Sequence, residues 1–443
     1  MTVLEFLRNK AFWALDSARG GKVRHYLSNL RRIEDGLMPD EELKKYTQER
    51  LETLLKHAKA TVPYYAGQES LDLSRWPVVN KDTIRSDYDR FLSTDYDRDS
   101  LITMSTSGST GTPFVCYQDG GKKRCVNAET LYYDEKLGFK IGRRIIYLRS
   151  VVSETKKSPM QQFAQNIYLI NCTDLSDQGI EAKLAEVAAL SKHCGAMMMA
   201  YSSTYDALRK YFERNGYDKA AACNLYGMVG GSTMMYDETR EAMEKAFRCK
   251  CISRYSNEEN GFLGQDGIKN NVFIMNRADY LIEILKLDSD EPAADGEIGR
   301  IVVTDYYNMA MPMIRYDTGD VGAWEAIDTP AGKRMAIGSF GGRKVDMIYG
   351  DNGQPVSPHS ISTAMWKYRN VRQYQFAQTG AGKYQMRVNM GGDTLAEDEL
   401  IADIRRIVGD KAEVEIRYVD EIPVLNSGKR RYIVNETGAD RRA

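Results

Sequence analysis

Between residues 40 and 60 apolar side chains recur at helical spacing, with Leu43, Leu51, Leu54, Leu55 and Ala58 on one stripe. Val62-Pro63 closes that segment, because proline cannot continue a helical hydrogen-bond ladder. The pattern predicts a scaffold helix. From 101 to 106 the chain is apolar and β-branched, then gives way to Gly, Ser and Thr, which predicts a strand ending in a flexible loop. Downstream, strand-like runs at 144–148, 196–201, 224–229 and 251–255 alternate with helical stretches at 180–192 and 203–215. This alternation predicts α/β architecture with mainly parallel strands, and the run Met197 to Met199 reads as core strand.

Residues 298–304 form a further strand pattern, after which Gly341, Gly342, Gly350 and Gly353 punctuate a charged turn. A domain boundary is expected there, giving a large α/β domain over 1–345 and a small, mobile domain over 346–443. The small one carries strand patterns at 373–377, 385–389 and 414–418 and a helical pattern at 394–408, enough for an α+β unit. There is no internal repeat.

Composition narrows the classes. Hydrophobic residues make up 42% and charged residues 28%, and no apolar run approaches the roughly 20 residues of a membrane span. Lys+Arg (61) and Asp+Glu (62) nearly cancel without a basic stripe, which removes the electrostatic footprint of a nucleic-acid binder and favours a small-molecule substrate. Glu5, Arg8, Lys10 and Asp16 interrupt the first segment, so it lacks the apolar centre of a secretory signal, and a cytoplasmic location is expected. The seven cysteines are scattered and suit reduced thiols. Cys249 and Cys251 could join His193, Cys194 or Cys223 on a metal, but their spacing matches no common zinc pattern, and no structural metal is expected. There is no G-x-S-x-G elbow, and His25, His57, His193 and His359 fall in no triad motif.

The sharpest chemical signal is Thr106-Ser107-Gly108-Ser109-Thr110-Gly111-Thr112-Pro113. Its glycines permit tight turns and its hydroxyls add donors around an anionic phosphate chain. It lacks the Gly-Lys-Ser/Thr ending of a Walker loop. Alone, such a stretch is equally a solvated loop of small residues. It resembles, however, the T-S-G-S-T-G-x-P phosphate loop of the acyl-adenylate-forming (AMP-binding) superfamily that includes the acyl-CoA synthetases. The likeness continues in order along the chain. Tyr255-Ser256-Asn257-Glu258-Glu259 is similar to Y-G-x-T-E, in which the tyrosine lies by the nucleotide and the final glutamate helps hold Mg²⁺. By position that is Glu259, although Glu258 in place of threonine leaves two adjacent candidates. Arg315-Tyr316-Asp317-Thr318-Gly319-Asp320 resembles Y-R-T-G-D, which assigns Asp320 to the ribose hydroxyls, a pairing suited to a two-oxygen acceptor. Gly342-Arg343-Lys344-Val345-Asp346 is similar to the G-R-x-D-D hinge, with Arg343 a nucleotide contact. Pro423-Val424-Leu425-Asn426-Ser427-Gly428-Lys429 resembles the P-x-x-x-S-G-K loop and places the catalytic lysine at Lys429.

Within the superfamily, Leu55-Lys56-His57-Ala58, Val62-Pro63-Tyr64-Tyr65 and Trp76-Pro77-Val78-Val79-Asn80-Lys81 resemble the branch of phenylacetate-CoA ligase and the CapK-type proteins of capsular polysaccharide clusters. The resemblance implies the adenylate-forming ligase fold, with ATP, Mg²⁺ and coenzyme A as cofactors and co-substrate. It also implies two half-reactions, acyl-AMP formation and then capture of the acyl group by a thiol. Because ligands of open α/β sheets bind beyond the carboxyl ends of strands, Tyr201, Ser202, Ser203, Met228 and Asn257 are expected at the acid, and Gly230 and Gly231 where backbone approaches adenine. The identity of the acid is left open. So is the oligomeric state, a homodimer among the options. Two other functions compete: transfer of the acyl group to an amine or hydroxyl, and a non-catalytic nucleotide-binding scaffold, motivated by the departures at Ser256, Glu258 and Val345.

Overall fold

The computed structural model describes residues 1–106, 114–149, 157–172, 174–343, 348–353, 355–356, 361, 364–365, 368, 370–390, 394–422 and 432–437. β1 (Ile102–Thr106) and β2 (Phe114–Gln118) form an antiparallel hairpin with Thr106 opposite Phe114. The strands β3 (Arg144–Arg149), β4 (Ile167–Asn171), β5 (Ala196–Tyr201), β6 (Leu225–Gly231) and β7 (Cys251–Asn257) are mutually parallel, in spatial order β4-β3-β5-β6-β7. The same sheet continues antiparallel through β8 (Gly261–Gln265) and β9 (Phe273–Met275), then β13 (Gly332–Arg343), β12 (Tyr316–Thr329), β11 (Gly299–Asp305) and β10 (Tyr280–Leu285).

The sheet is therefore α/β, as expected, but its parallel character ends at Asn257. The cause is the connections. Parallel neighbours need a crossover, and each of the four steps from β3 to β7 contains a helix: Pro159–Gln165, Asp177–Ser191, Ser202–Asn215 and Asp237–Phe247. Beyond β7 the described links are turns and hairpins, which join antiparallel strands only. Both faces of the parallel half are buried. Ile146, Leu148, Met198 and Met228 pack under the crossover helices, while Ile145, Met197, Val229 and Ile252 pack towards the helix Gly120–Glu135. Each such fully buried side chain contributes about 1.5–3 kcal/mol.

The expected scaffold helix spans Asp40–Thr61 and buries Leu54, Leu55 and Ala58 against Val62, Tyr65, Trp76 and Phe91. Downstream of the large sheet, β14 (Ile348–Tyr349) pairs with β15 (Pro355–Val356). A four-stranded sheet then forms from β16 (Val371–Gly380), β17 (Lys383–Met390), β18 (Glu413–Tyr418) and β19 (Ile433–Asn435), in order β18-β17-β16-β19. The helix Glu397–Val408 lays Leu400, Ile404 and Val408 on Phe376, Met386 and Val388. This α+β unit touches the large sheet's helices where Lys210 Nζ donates to the Arg372 carbonyl at 3.2 Å and the rings of Tyr236 and Tyr432 meet edge-on at 6.4 Å. Among the described residues no helix is long and apolar enough to cross a membrane.

Candidate functional site

The turn between β7 and β8 consists of Glu258, Glu259 and Asn260, and it is closed by the Asn260 amide donating to Asn257 Oδ1 at 2.8 Å. It presents its two acids differently. Glu258 faces solvent, whereas Glu259 is 1% exposed and is held by two partners. Lys81 Nζ lies 2.5 Å from Glu259 Oε1, and the Tyr316 hydroxyl donates to the same oxygen at 3.2 Å. Lys81 opens the helix Lys81–Ser86, whose first turn is capped by the Asn80 side chain accepting from the Asp82 and Thr83 amides, each at 2.9 Å. The preceding residue Val79 is laced to β12 through Val79 N to Arg315 O (3.1 Å) and Asp317 N to Val79 O (2.7 Å). Local capping and this bridge thus aim the ammonium at the carboxylate.

A buried carboxylate of this kind suits Mg²⁺, which prefers hard oxygen donors and commonly takes one or two protein carboxylates with the remainder from phosphate and water. Lys81 balances the Glu259 charge from a side chain that is 27% exposed, so this pairing, unlike a sealed one, is open to exchange with a ligand cation.

Beneath the turn lies a sealed polar brace. Lys122, Glu129 and Asp305 are fully buried, and Asp279 nearly so. Lys122 Nζ pairs with Asp305 Oδ2 at 2.8 Å and donates to the Tyr280 hydroxyl at 2.9 Å. That hydroxyl lies 2.6 Å from Glu129 Oε1 and 2.8 Å from the Asn260 carbonyl, which fixes the turn from below. Glu129 Oε2 accepts the Phe262 amide at 2.9 Å. Burial pushes the three carboxyls up, partly opposed by Lys122, while their charges hold the Lys122 ammonium firmly protonated. Cys125, Glu129 and Asp279 bring ligand atoms within 4.8 Å of one another, but Lys122 already supplies the cation there.

Next to this turn, Tyr255 on β7 donates to Asp320 Oδ2 at 2.9 Å and sits 3.3 Å from Thr318 Oγ1. Thr318 in turn donates to the Ile301 carbonyl and accepts the Asp320 amide, so the D-T-G-D segment is pinned between β11 and β12. Gly319 has φ +77°, a left-handed conformation that glycine adopts without strain. Burial and the Asp320 charge push the Tyr255 phenol well above its ordinary value, so it serves as a hydrogen-bond donor. Asp320 stands directly opposite Arg343 in the antiparallel register of β12 and β13. Three of the motifs spread along the sequence, those of Tyr255 with Glu259, Asp320 and Arg343, are therefore neighbours in space.

Ser107 to Pro113 and Lys429 lie outside the described residues, as do the side chains of Thr106 and Arg343. β2, the strand that follows the loop segment, lies by the acidic turn, with Gln118 Nε2 donating to the Glu258 carbonyl at 3.4 Å and Phe114 lying 5.6 Å under Lys81 Nζ. Tyr432, just after Lys429, lies against Tyr236, just after Gly230 and Gly231.

The candidates at the ends of β5 and β6 divide. Tyr201 ends β5 opposite Gly231, and Ser202 and Ser203 open the helix Ser202–Asn215. Ser202 is buried and reaches the Gly231 carbonyl at 3.4 Å. A Cβ at Gly230 would meet Met235 Cε, the movable end of that side chain, at 2.0 Å and Ser202 Oγ at 3.1 Å, so the space there is already taken by the protein's own side chains. Gly231 is open, with only the Arg254 carbonyl at 3.7 Å. Met228 is not brought to this edge: it points into the core beneath the crossover helices, three residues short of the strand end.

Sequence reasoning passed over several residues here. Lys81 lay in the quoted N-terminal segment and Tyr316 beside the ribose motif, but neither had an assigned role. Arg149 ends β3 level with Tyr201, stacks on Tyr147 at 5.1 Å, and has a buried Nε without a hydrogen-bond partner among the described residues. A basic residue closing an apolar strand at a carboxyl end was the available signal.

Residues 348–436 match the family described as the CapK C-terminal domain. Protein CapK of Staphylococcus aureus is 22% identical over 439 residues, covering 93% of each chain. Phenylacetate-coenzyme A ligase of Pseudomonas putida is 22% identical over 412 residues, covering 89% of this chain and 86% of that one. Among solved structures, 2-hydroxyisobutyryl-CoA ligase in the postadenylation state with 2-HIB-AMP superposes with a TM-score of 0.71 at 15% identity, over 91% of this chain and 92% of that one. Along nearly its whole length the chain is thus similar to protein CapK and to phenylacetate-coenzyme A ligase, its C-terminal residues match the CapK C-terminal domain, and it shares the fold of 2-hydroxyisobutyryl-CoA ligase.

Proposed function

We propose that this protein uses ATP to activate a carboxylic acid as its acyl-AMP and then transfers the acyl group to the thiol of coenzyme A. The observation that carries the reading is the buried Glu259 carboxylate, faced by Lys81 and braced by Tyr316, one hairpin turn from the Tyr255–Asp320 pair. Asp320 takes the ribose hydroxyls, Tyr255 packs by the nucleotide, and Arg343 contacts it from the next strand. Thr106, Ser107, Gly108, Ser109, Thr110, Gly111 and Thr112 wrap the phosphates. Glu259 holds Mg²⁺, whose contribution when bound is to offset phosphate charge.

In the first half-reaction an anionic carboxylate must approach an anionic α-phosphate. Lys429 supplies a cation to both and stabilises charge that develops in the transition state. The boundary we propose lies between 345 and 346, so that the domain carrying Lys429 rotates away before the thiol arrives. The acid sits at the ends of β3, β5 and β6, near Tyr201, Ser202, Ser203 and Gly231, with Asn257 at its phosphate end. The match to the CapK C-terminal domain supports a second reading of the same site, with an amine or hydroxyl as acceptor. We place the enzyme in the cytoplasm.

The test is pyrophosphate release from ATP and Mg²⁺ over a panel of aryl, acyl and amino acids, with and without coenzyme A. Acid-dependent release lost in Lys429→Ala is expected. Undiminished release by that variant would sink the mechanism, and acyl-AMP formed but never captured by coenzyme A would favour the second acceptor class.

A further inference from the structure

The helix Val3–Ala18 is built inside out. Its buried residues are the two acids, Glu5 and Asp16, and both have structural tasks. Glu5 closes a capping box with Thr2, and Asp16 accepts the amides of Val23 and Arg24, each at 3.1 Å, which fixes the turn into the helix Lys22–Glu34. On the same face Asn9 donates to the Ile141 carbonyl at 3.1 Å. The opposite stripe, Leu4, Leu7, Ala11, Leu15 and Ala18, recurs at helical spacing and is exposed, as are Met1, Val3 and Phe6. The short helix Pro159–Gln165 lies alongside, tied by Arg8 Nη2 donating to the Phe163 carbonyl at 2.6 Å, and it adds exposed Met160 and Phe163.

Eight of the fourteen large hydrophobic side chains exposed among the described residues lie on these two segments, so the patch is a concentrated feature and not the scattered apolar surface of an ordinary protein. Its charge is equally one-sided. With both acids of residues 1–24 buried, the exposed charges there are Lys10, Arg19, Lys22 and Arg24, all basic. Within residues 1–24 the exposed charges that accompany the apolar stripe are all cations, which complements a surface that is apolar within and anionic at its edge. A second copy of the chain would instead set the same basic rim against itself across an isologous interface.

We propose that this face docks on an anionic phospholipid bilayer, with the helix Val3–Ala18 lying in the membrane plane and Leu4, Leu7 and Leu15 entering the boundary between headgroups and acyl chains. The activation site would then work at the membrane surface. The proposal does not depend on which acid is activated.

The test uses the full chain and vesicles of phosphatidylcholine containing about 30 mol % phosphatidylglycerol, against vesicles of phosphatidylcholine alone. Co-sedimentation with the anionic vesicles is expected, about tenfold or more weaker on neutral ones, and falling as salt rises from about 0.1 to 0.5 M. Leu7→Glu/Leu15→Glu and, separately, Lys10→Glu/Arg19→Glu should each weaken binding about tenfold, with melting temperature and ATP binding in solution unchanged. The charge-reversal pair keeps the test decisive if the leucine pair folds poorly. Equal binding to both vesicle types, binding indifferent to both variants, or a dimer in solution that the leucine pair dissolves would each overturn the proposal.

Discussion

Among the described residues two lysines pair with fully buried carboxylates, and their settings are opposite. Lys122 is fully buried among Glu129, Asp279 and Asp305, with Tyr280 as a further partner. Lys81 faces one buried carboxylate, Glu259, from a side chain that remains 27% exposed. The first arrangement is sealed, so its charges serve one another and the hairpin turn above them. The second is open on one side, so its carboxylate and ammonium can exchange partners with a ligand. The comparison teaches that burial alone does not mark function. What distinguishes the site is a buried group whose partner reaches water.

Removing the sealed cation should have the largest effect. Lys122→Met leaves three buried carboxyls without their cation, and a loss of about 3–5 kcal/mol is expected in denaturant unfolding. Whatever fraction still folds should bind ATP normally. A variant as stable as the parent would show the brace to be dispensable. Glu259→Gln should invert the outcome: the amide keeps an acceptor for Tyr316, so stability should change by no more than about 1 kcal/mol. Pyrophosphate release should nonetheless fall about 100-fold, about 2.7 kcal/mol, and more Mg²⁺ should be needed for half-maximal rate. Equal loss of stability in both variants would erase the distinction between the lysines. Asp320→Ala should act more mildly, raising KM for ATP about tenfold with kcat less affected, because ribose contacts are made in ground and transition states alike. A pure kcat defect would move Asp320 closer to the reacting atoms.

Much of the fold was legible because periodicity is local. The scaffold helix, β5, and the strands and helix of the small domain fall within a few residues of the expected positions. The antiparallel half of the sheet was not legible from strand patterns, since strand direction depends on what connects the strands. At the site, short motifs singled out Tyr255, Glu259 and Asp320, and the structure brings these three together; their parts towards nucleotide and metal are those proposed above. They could not show that Glu259 and not Glu258 is the buried acid, which follows from the phase of one hairpin turn. Lys81 escaped because its partner is 178 positions away in the chain, and no local pattern records a contact that a sheet creates. The packing of Met235 and Ser202 beside Gly230 is likewise a contact between segments that no local pattern records.

A third carboxylate completes the comparison, because Glu238 is partly buried with no cation bonded to it among the described residues. Its Oε2 has no hydrogen-bond partner among the described residues, and burial, only partly offset by Arg209, pushes its carboxyl up to about 8. The sign follows from linkage. In the unfolded chain the group ionises near the ordinary glutamate value of about 4.3, while in the folded chain it keeps its proton until pH approaches 8. Between those limits the unfolded state releases the proton first, so this residue lowers stability progressively as pH rises, and the penalty is complete above the folded value. Glu238→Gln removes the titration. After allowance for solvent screening of a half-exposed group, the variant should gain about 1 kcal/mol over the parent at pH 8.5 and almost nothing at pH 4.5. Thermal melts of both proteins across that range test the point. A gain that does not vary with pH would mean that the substituted amide packs better for reasons other than charge. A gain that grows with pH would establish that a buried carboxyl without a cation is a cost in this fold, which is the cost that Lys122 and Lys81 relieve at their own sites.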